Sequence, residues 1–252
     1  MKSIGIWTVL TVKQLLRSRF YLILALLQPL FFLTVAALMS GTRGERLGAT
    51  LAGTTIMGMW STTLFGAGRA LHRERVYGTL ELLLISPRSL LRPVLGVCLG
   101  SSALAVASAG SGLVAVTVLF GFRTSWARLA LFVPTLLVGV LGLAALGTLL
   151  CASFILMRQA TVLSNTLEYP VWFACALLIP SDVRPAPVAL AGEFLAPTHV
   201  STLMNAAVVH GDLDRFACAK LAVLCPLYLV AAVLLFDRVT KIVRRRGELT
   251  LG

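Results

Sequence analysis

LALFVPTLLVGVLGLAALGTLLCASFILM, from Leu129 to Met157, lies between Arg128 and Arg158 and contains no charged residue. A helix needs about 20 apolar residues to cross the hydrocarbon core of a bilayer, and this run exceeds that length. Working outward from it, the same pattern recurs. Charge is absent between Arg19 and Arg43, between Arg46 and Arg69 (here with more Thr, Gly and Met), and between Arg92 and Arg123. A weaker run follows Arg158 and is interrupted by Glu168; a last one carries Lys220 near its start. These runs predict an all-α integral membrane protein, one transmembrane domain over residues 1–252 with six transmembrane helices at 20–39, 48–70, 93–120, 129–157, 159–180 and 216–236.

Composition agrees with that reading. Of 252 residues 58% are hydrophobic and 13% charged, and the mean hydropathy is +0.91. Soluble domains carry about 25% charged residues, so a soluble enzyme would lack the polar surface to cover such a core, and a disordered chain would be far more polar. The net charge of +12 raises nucleic acid as a partner. A bundle of spans with basic cytoplasmic loops accounts for it better, and no nucleic-acid partner is expected. With both termini in the cytoplasm, 15 of the 22 Lys and Arg fall on the inner side and seven on the outer, which fixes the expected orientation. The first run is too long, and too far from Met1, for a cleaved signal peptide, and is expected to be retained. Cys98, Cys151, Cys175, Cys218 and Cys225 lie in or beside apolar stretches with no CxxC spacing, and His72, His199 and His210 are scattered. Neither set predicts a disulfide framework or a metal site.

Three segments fall outside the spans. Residues 1–19 carry Ile4, Trp7 and Leu10 at helical spacing with Lys13, Arg17 and Arg19 near the polar side. They read as an amphipathic helix in the interface or as a cytoplasmic extension of the first span. Residues 181–210 are broken by Pro185, Pro187 and Pro197 and read as two short re-entrant half-helices in the outer leaflet, with a plain loop as the alternative. Arg244–Arg246 read as an anchor to anionic membrane lipid. Within the third span, Gly96 and Gly100, followed by Ala103, Ala107 and Gly110, allow close helix approach. The contact is expected within the subunit, with a dimer contact as the alternative.

The most informative segment, 72–90, joins the second and third spans: His72-Arg73-Glu74-Arg75-Val76-Tyr77-Gly78-Thr79-Leu80-Glu81-Leu82-Leu83-Leu84-Ile85-Ser86-Pro87. Val76, Leu80, Leu83 and Leu84 share a helical face, while Glu74, Gly78 and Glu81 fall elsewhere. Ser86-Pro87 supplies an N-cap followed by proline at the first helical position. A short stiff helix, half apolar and half charged, can receive a push from a soluble partner and pass it to the adjoining spans; alternatively it only anchors the loop.

This run resembles the signature of type-2 ABC transporter permeases, the membrane subunits of many bacterial exporters. Glu74, Arg75, Gly78, Thr79, Leu80, Glu81 and Pro87 fall where that family has them. Asn165, Glu168 and Pro170 resemble its fifth helix, and Leu195-Ala196-Pro197-Thr198 resembles the motif after its outer half-helices, although His199 stands where many members have an aromatic. The resemblance implies a dimer of permeases (a second copy or a paralogue) with ABC ATPase subunits on the cytoplasmic face of a bacterial cell membrane. It implies that Arg73, Glu74, Arg75, Gly78, Thr79, Leu80, Glu81, Leu83 and Leu84 form a coupling helix against the ATPase. The chain has no GxxxxGK[ST] phosphate loop and no GxSxG or HExxH motif. It is therefore expected not to be an enzyme and to hold no cofactor, with ATP and Mg on the partner ATPase.

Glu168 is the charge that most needs explaining. A carboxylate well inside a span is costly and marks a pathway or a paired site. Tyr169 and Trp172 follow it, and by resemblance this helix borders a central cavity. Asn165, Glu168, Tyr169 and Trp172, with Met57, Trp60 and Thr63 of the second span, are the expected substrate pathway; the alternatives are an internal hydrogen bond for Glu168 and ordinary helix packing for the rest. The functional expectation is ATP-driven multidrug-type export of a small hydrophobic, drug- or lipid-like substrate. The alternative is a secondary transporter or channel driven by an ion gradient, a class that usually shows internal repeats; the last three spans do not repeat the first three.

Overall fold

A computed structural model of the chain describes residues 2–40, 44–78, 90–121, 125–156, 160–177 and 184–246. The elements are α1 (Lys2–Arg17), α2 (Arg19–Ser40), α3 (Gly44–Val76), α4 (Leu91–Phe120), α5 (Trp126–Leu156), α6 (Ala160–Ala174), α7 (Ala186–Glu193), α8 (Ala196–Asn205) with a π-helical turn at Ala206–His210, and α9 (Arg215–Arg246). Among the described residues, four stretches are long and apolar enough to cross a membrane: Arg19–Leu38, Leu91–Phe120, Trp126–Ile155 and Arg215–Lys241. Their outward faces carry exposed apolar residues at helical spacing, as in Ile23, Leu27 and Phe31 of α2 or Val223, Leu227, Val230 and Leu234 of α9.

The two other expected spans fall on helices of a different kind. α3 is 33 residues long, about 50 Å, yet it is too polar to meet the same measure. The reason is its position: every residue from Leu51 to Gly68 is buried, because α2, α4, α5, α6 and α8 all pack on it. A helix wrapped in protein is free to carry Thr54, Thr55, Ser61, Thr62 and Thr63. α6 has only 15 residues, fewer than the expected 159–180. After Ala174 the chain turns through Ala176 at φ 51°, and Arg184 donates to the Ala174 carbonyl at the helix end. The 181–210 stretch contains α7 and α8, each with proline near its start.

The proline within α2 is met by specific neighbours. Pro29 of α2 has no N–H to offer the carbonyl of Ala25, and an orphaned carbonyl inside a membrane is costly. Ser108 of α4 supplies the missing donor, its hydroxyl bonding Ala25 O at 2.5 Å. Gly58 of α3 makes room for the ring: a Cβ there would lie 2.6 Å from Pro29 Cγ.

α1 is separated from α2 at Ser18 and packs chiefly on the start of α4. Its seat is the Gly96 and Gly100 pair. A Cβ at Gly96 would stand 2.6 Å from Trp7 Cβ, and one at Gly100 would stand 2.8 Å from Thr11 Cβ. The close approach is thus an intrasubunit one, made to the N-terminal helix.

Candidate functional site

The first candidate region is the C-terminal end of α3. Its last turn holds Arg73, Glu74 and Arg75, and the helix ends at Val76, with Tyr77 and Gly78 in the turn that follows. The Tyr77 N–H bonds Arg73 O and the Gly78 N–H bonds Arg75 O, both at 3.0 Å. Gly78 has φ +66°, left-handed backbone that a side chain disfavours, while a Cβ there would meet nothing within 4 Å. The glycine is needed for the turn that leads the chain out of α3, and packing places no demand on it. Arg75 reaches across to α5 and donates from Nη2 to Ile155 O at 2.6 Å. A guanidinium is well placed at a helix C-terminus, where unpaired carbonyls concentrate negative charge. The expected coupling residues Arg73, Glu74, Arg75 and Gly78 therefore share one helix end, latched to α5. Thr79, Leu80, Glu81, Leu83 and Leu84, with Ser86-Pro87, lie outside the described residues.

The second region surrounds Glu168. Its Oε1 accepts from Ser61 Oγ of α3 at 2.5 Å and from Gln28 Nε2 of α2 at 3.2 Å, and Gln28 also donates to Ser61 Oγ at 3.3 Å. The carboxyl joins three helices at one point and its residue is only 5% exposed. Gln28 was not among the expected site residues. Its signal in the sequence is that it is the lone amide in the 20–39 run, a polar group that must find a partner. Trp172 packs beside this cluster, edge-on to Phe32 and Tyr169 with ring centroids 5.2 Å away in each case.

The expected pathway residues divide. Met57, Trp60 and Thr63 are fully buried within this chain. The Thr63 hydroxyl is engaged by Met59 O and by Ser102 Oγ of α4, both at 2.7 Å. Glu168 and Trp172 are buried with Ser164 and Val171, whereas Asn165 and Tyr169 lie on the adjoining, exposed face of α6 with Thr166 and Pro170. The structure thus brings Glu168 and Trp172 together behind an open face on which Asn165 and Tyr169 stand.

On the other side of the bundle, Lys220 of α9 donates to Glu193 Oε2 of α7 at 2.5 Å. That hydrogen bond holds the Glu193 carboxyl below its ordinary range. His199 Nε2 lies 2.8 Å from Glu193 O and Tyr228 donates to Phe194 O at 2.5 Å, so the α7–α8 corner is tied down at several points. Among the described residues, no group of three or more His, Cys, Asp and Glu could hold a metal ion.

The family model for ABC-2 type transporters matches residues 3–191, from α1 into α7, and includes both regions above. The chain belongs to that family. No curated protein matches it. As an ABC-2 permease it is a membrane component whose family implies ABC ATPase subunits as partners.

Proposed function

We propose that this permease is the transmembrane subunit of an ATP-driven exporter. It moves a hydrophobic drug- or lipid-like substrate out of a bacterial cell by alternating access. The permease pairs with a second copy or a paralogue. ATP and Mg are bound by the separate ATPase subunits, and this chain performs no catalysis.

The observation that supports this reading is the continuity of α3. The helix runs unbroken from Gly44, through the Ser61–Glu168 contact, to Arg75 at the coupling end. Ser61 and Arg75 are 14 residues apart, about 21 Å along one rigid element. A displacement of the Arg73–Arg75 helix end is therefore delivered to the polar cluster along one helix, and through Arg75 to α5 as well. Such rigid-body rocking of packed helices is a standard way to switch between two states. α6, held to α3 by Glu168, carries Asn165 and Tyr169 on its open face, and these are the side chains proposed to border the pathway. The apolar and aromatic character of this region favours a hydrophobic cargo.

The test is charge reversal in the coupling segment. Glu81→Arg is expected to abolish transport while the permease still folds and binds its ATPase. Unchanged transport in that variant removes the coupling assignment.

A further inference from the structure

At the cytoplasmic end of the bundle, the α1–α2 junction and the last turns of α3 enclose a groove of about 460 Å³. Ser18, Tyr21, Arg69, His72 and Arg73 are in its wall, and among the described residues no carboxylate lines it. Arg69 and Arg73 are one turn apart on the same face of α3, an arrangement in which like charges repel. Among the described residues neither is paired with a carboxylate. Arg69 is also held in place, its guanidinium carbon 4.2 Å from the Phe20 ring centroid and 5.7 Å from that of Tyr21. Arg17 and Arg19 flank Ser18 in the chain. A second, apolar slot shares Thr11, Gln14, Ala70 and Arg73 with the groove and continues between α1, α3 and α4, past Trp7, Leu71 and Val94; Glu74 faces this slot.

Two guanidinium groups on one wall, with no carboxylate partner among the described residues, call for an anion, and the adjoining slot calls for an apolar portion on the same ligand. We infer that the groove binds the headgroup phosphate of an anionic phospholipid of the cytoplasmic leaflet, shared between Arg69 and Arg73. Basic recesses between helices on this side of a membrane suit such headgroups. The site goes beyond the transport reading and stands whichever way the permease moves its cargo. A lipid there braces the α1–α2 junction against the coupling end of α3.

The test uses the intact chain in nanodiscs of phosphatidylcholine with a minority of phosphatidylglycerol, with retained lipid read by native mass spectrometry. The wild type retains phosphatidylglycerol in preference to phosphatidylcholine. Arg69→Gln lowers that preference about five-fold, the effect of about 1 kcal/mol for one basic residue at an anionic leaflet. Arg238→Gln, an exposed cation on α9, leaves it unchanged. Equal retention of the two lipids by the wild type overturns the inference, as does an equal loss in Arg238→Gln. Displacement of phosphatidylglycerol by inorganic phosphate assigns the groove to a free anion and overturns it too. If Arg69→Gln does not fold, the wild type alone decides: its preference must fall with rising salt, and a salt-independent preference contradicts the site.

Discussion

Glu168→Leu removes the acceptor at the point where α2, α3 and α6 meet. Two hydrogen bonds are lost, the 2.5 Å bond from Ser61 and the 3.2 Å bond from Gln28. Interhelical hydrogen bonds in membrane proteins average about 0.6 kcal/mol with a ceiling of about 1.7, so the pair contributes about 1 kcal/mol and at most about 3. The loss is cushioned because Gln28 and Ser61 keep their own contact at 3.3 Å. Glu168→Gln retains a carbonyl oxygen in the acceptor position and is expected to cost less than Glu168→Leu. The assay is a double-mutant cycle between Ser61→Ala and Glu168→Leu, with unfolding followed in detergent. The expected coupling is about 0.6 kcal/mol or more, against a scatter of about 0.3–0.5 for independent sites. Additive effects of the two substitutions would refute the claim that this carboxyl clamps α6 to α3. So would Glu168→Leu as stable as the wild type.

Three shorter predictions accompany it. Gly78→Ala places a Cβ on left-handed backbone at a cost of about 1–2 kcal/mol although the space there is open, and Gly78→Asn should recover part of the loss in both thermal stability and ATP-dependent transport. Ser108→Ala leaves the Ala25 carbonyl beside Pro29 without its donor and should lower thermal stability by about 1–3 kcal/mol; replacing Pro29 by Ala in the same chain should restore most of it. The Glu193 carboxyl titrates below its ordinary value of 4.5 in the folded protein, so the Lys220 pair stabilises the fold fully above that value and loses its contribution below it, as pH falls through the lowered folded-state value. The pair is about half exposed, and its effect should be small, but Lys220→Gln should flatten the acid dependence of the melting temperature.

Much of this architecture is legible in the chain because charge is excluded from hydrocarbon. The charge-free runs at 20–39 and 93–120 lie within α2 and α4. The sequence also shows that something must satisfy Glu168 and that something must approach Gly96 and Gly100. It does not show what. A small-residue pair demands a close neighbour without naming one, and the neighbour is α1, distant in sequence. The centrality of α3 is illegible for a related reason: its Thr and Ser content reads as a weak span, and only its neighbours show that it is shielded from lipid. The division of α6 follows from helical periodicity once one face is anchored, and Glu168 is the anchor. Gly78 is visible as part of a motif, but the turn that requires it becomes evident only from its backbone angle.

The most direct test of the central claim is transport by the permease reconstituted in vesicles with its cognate ATPase, with ATP supplied or withheld. The account predicts transport only when both the ATPase and ATP are present. Full-rate transport by this chain alone, in the absence of ATP, would contradict it.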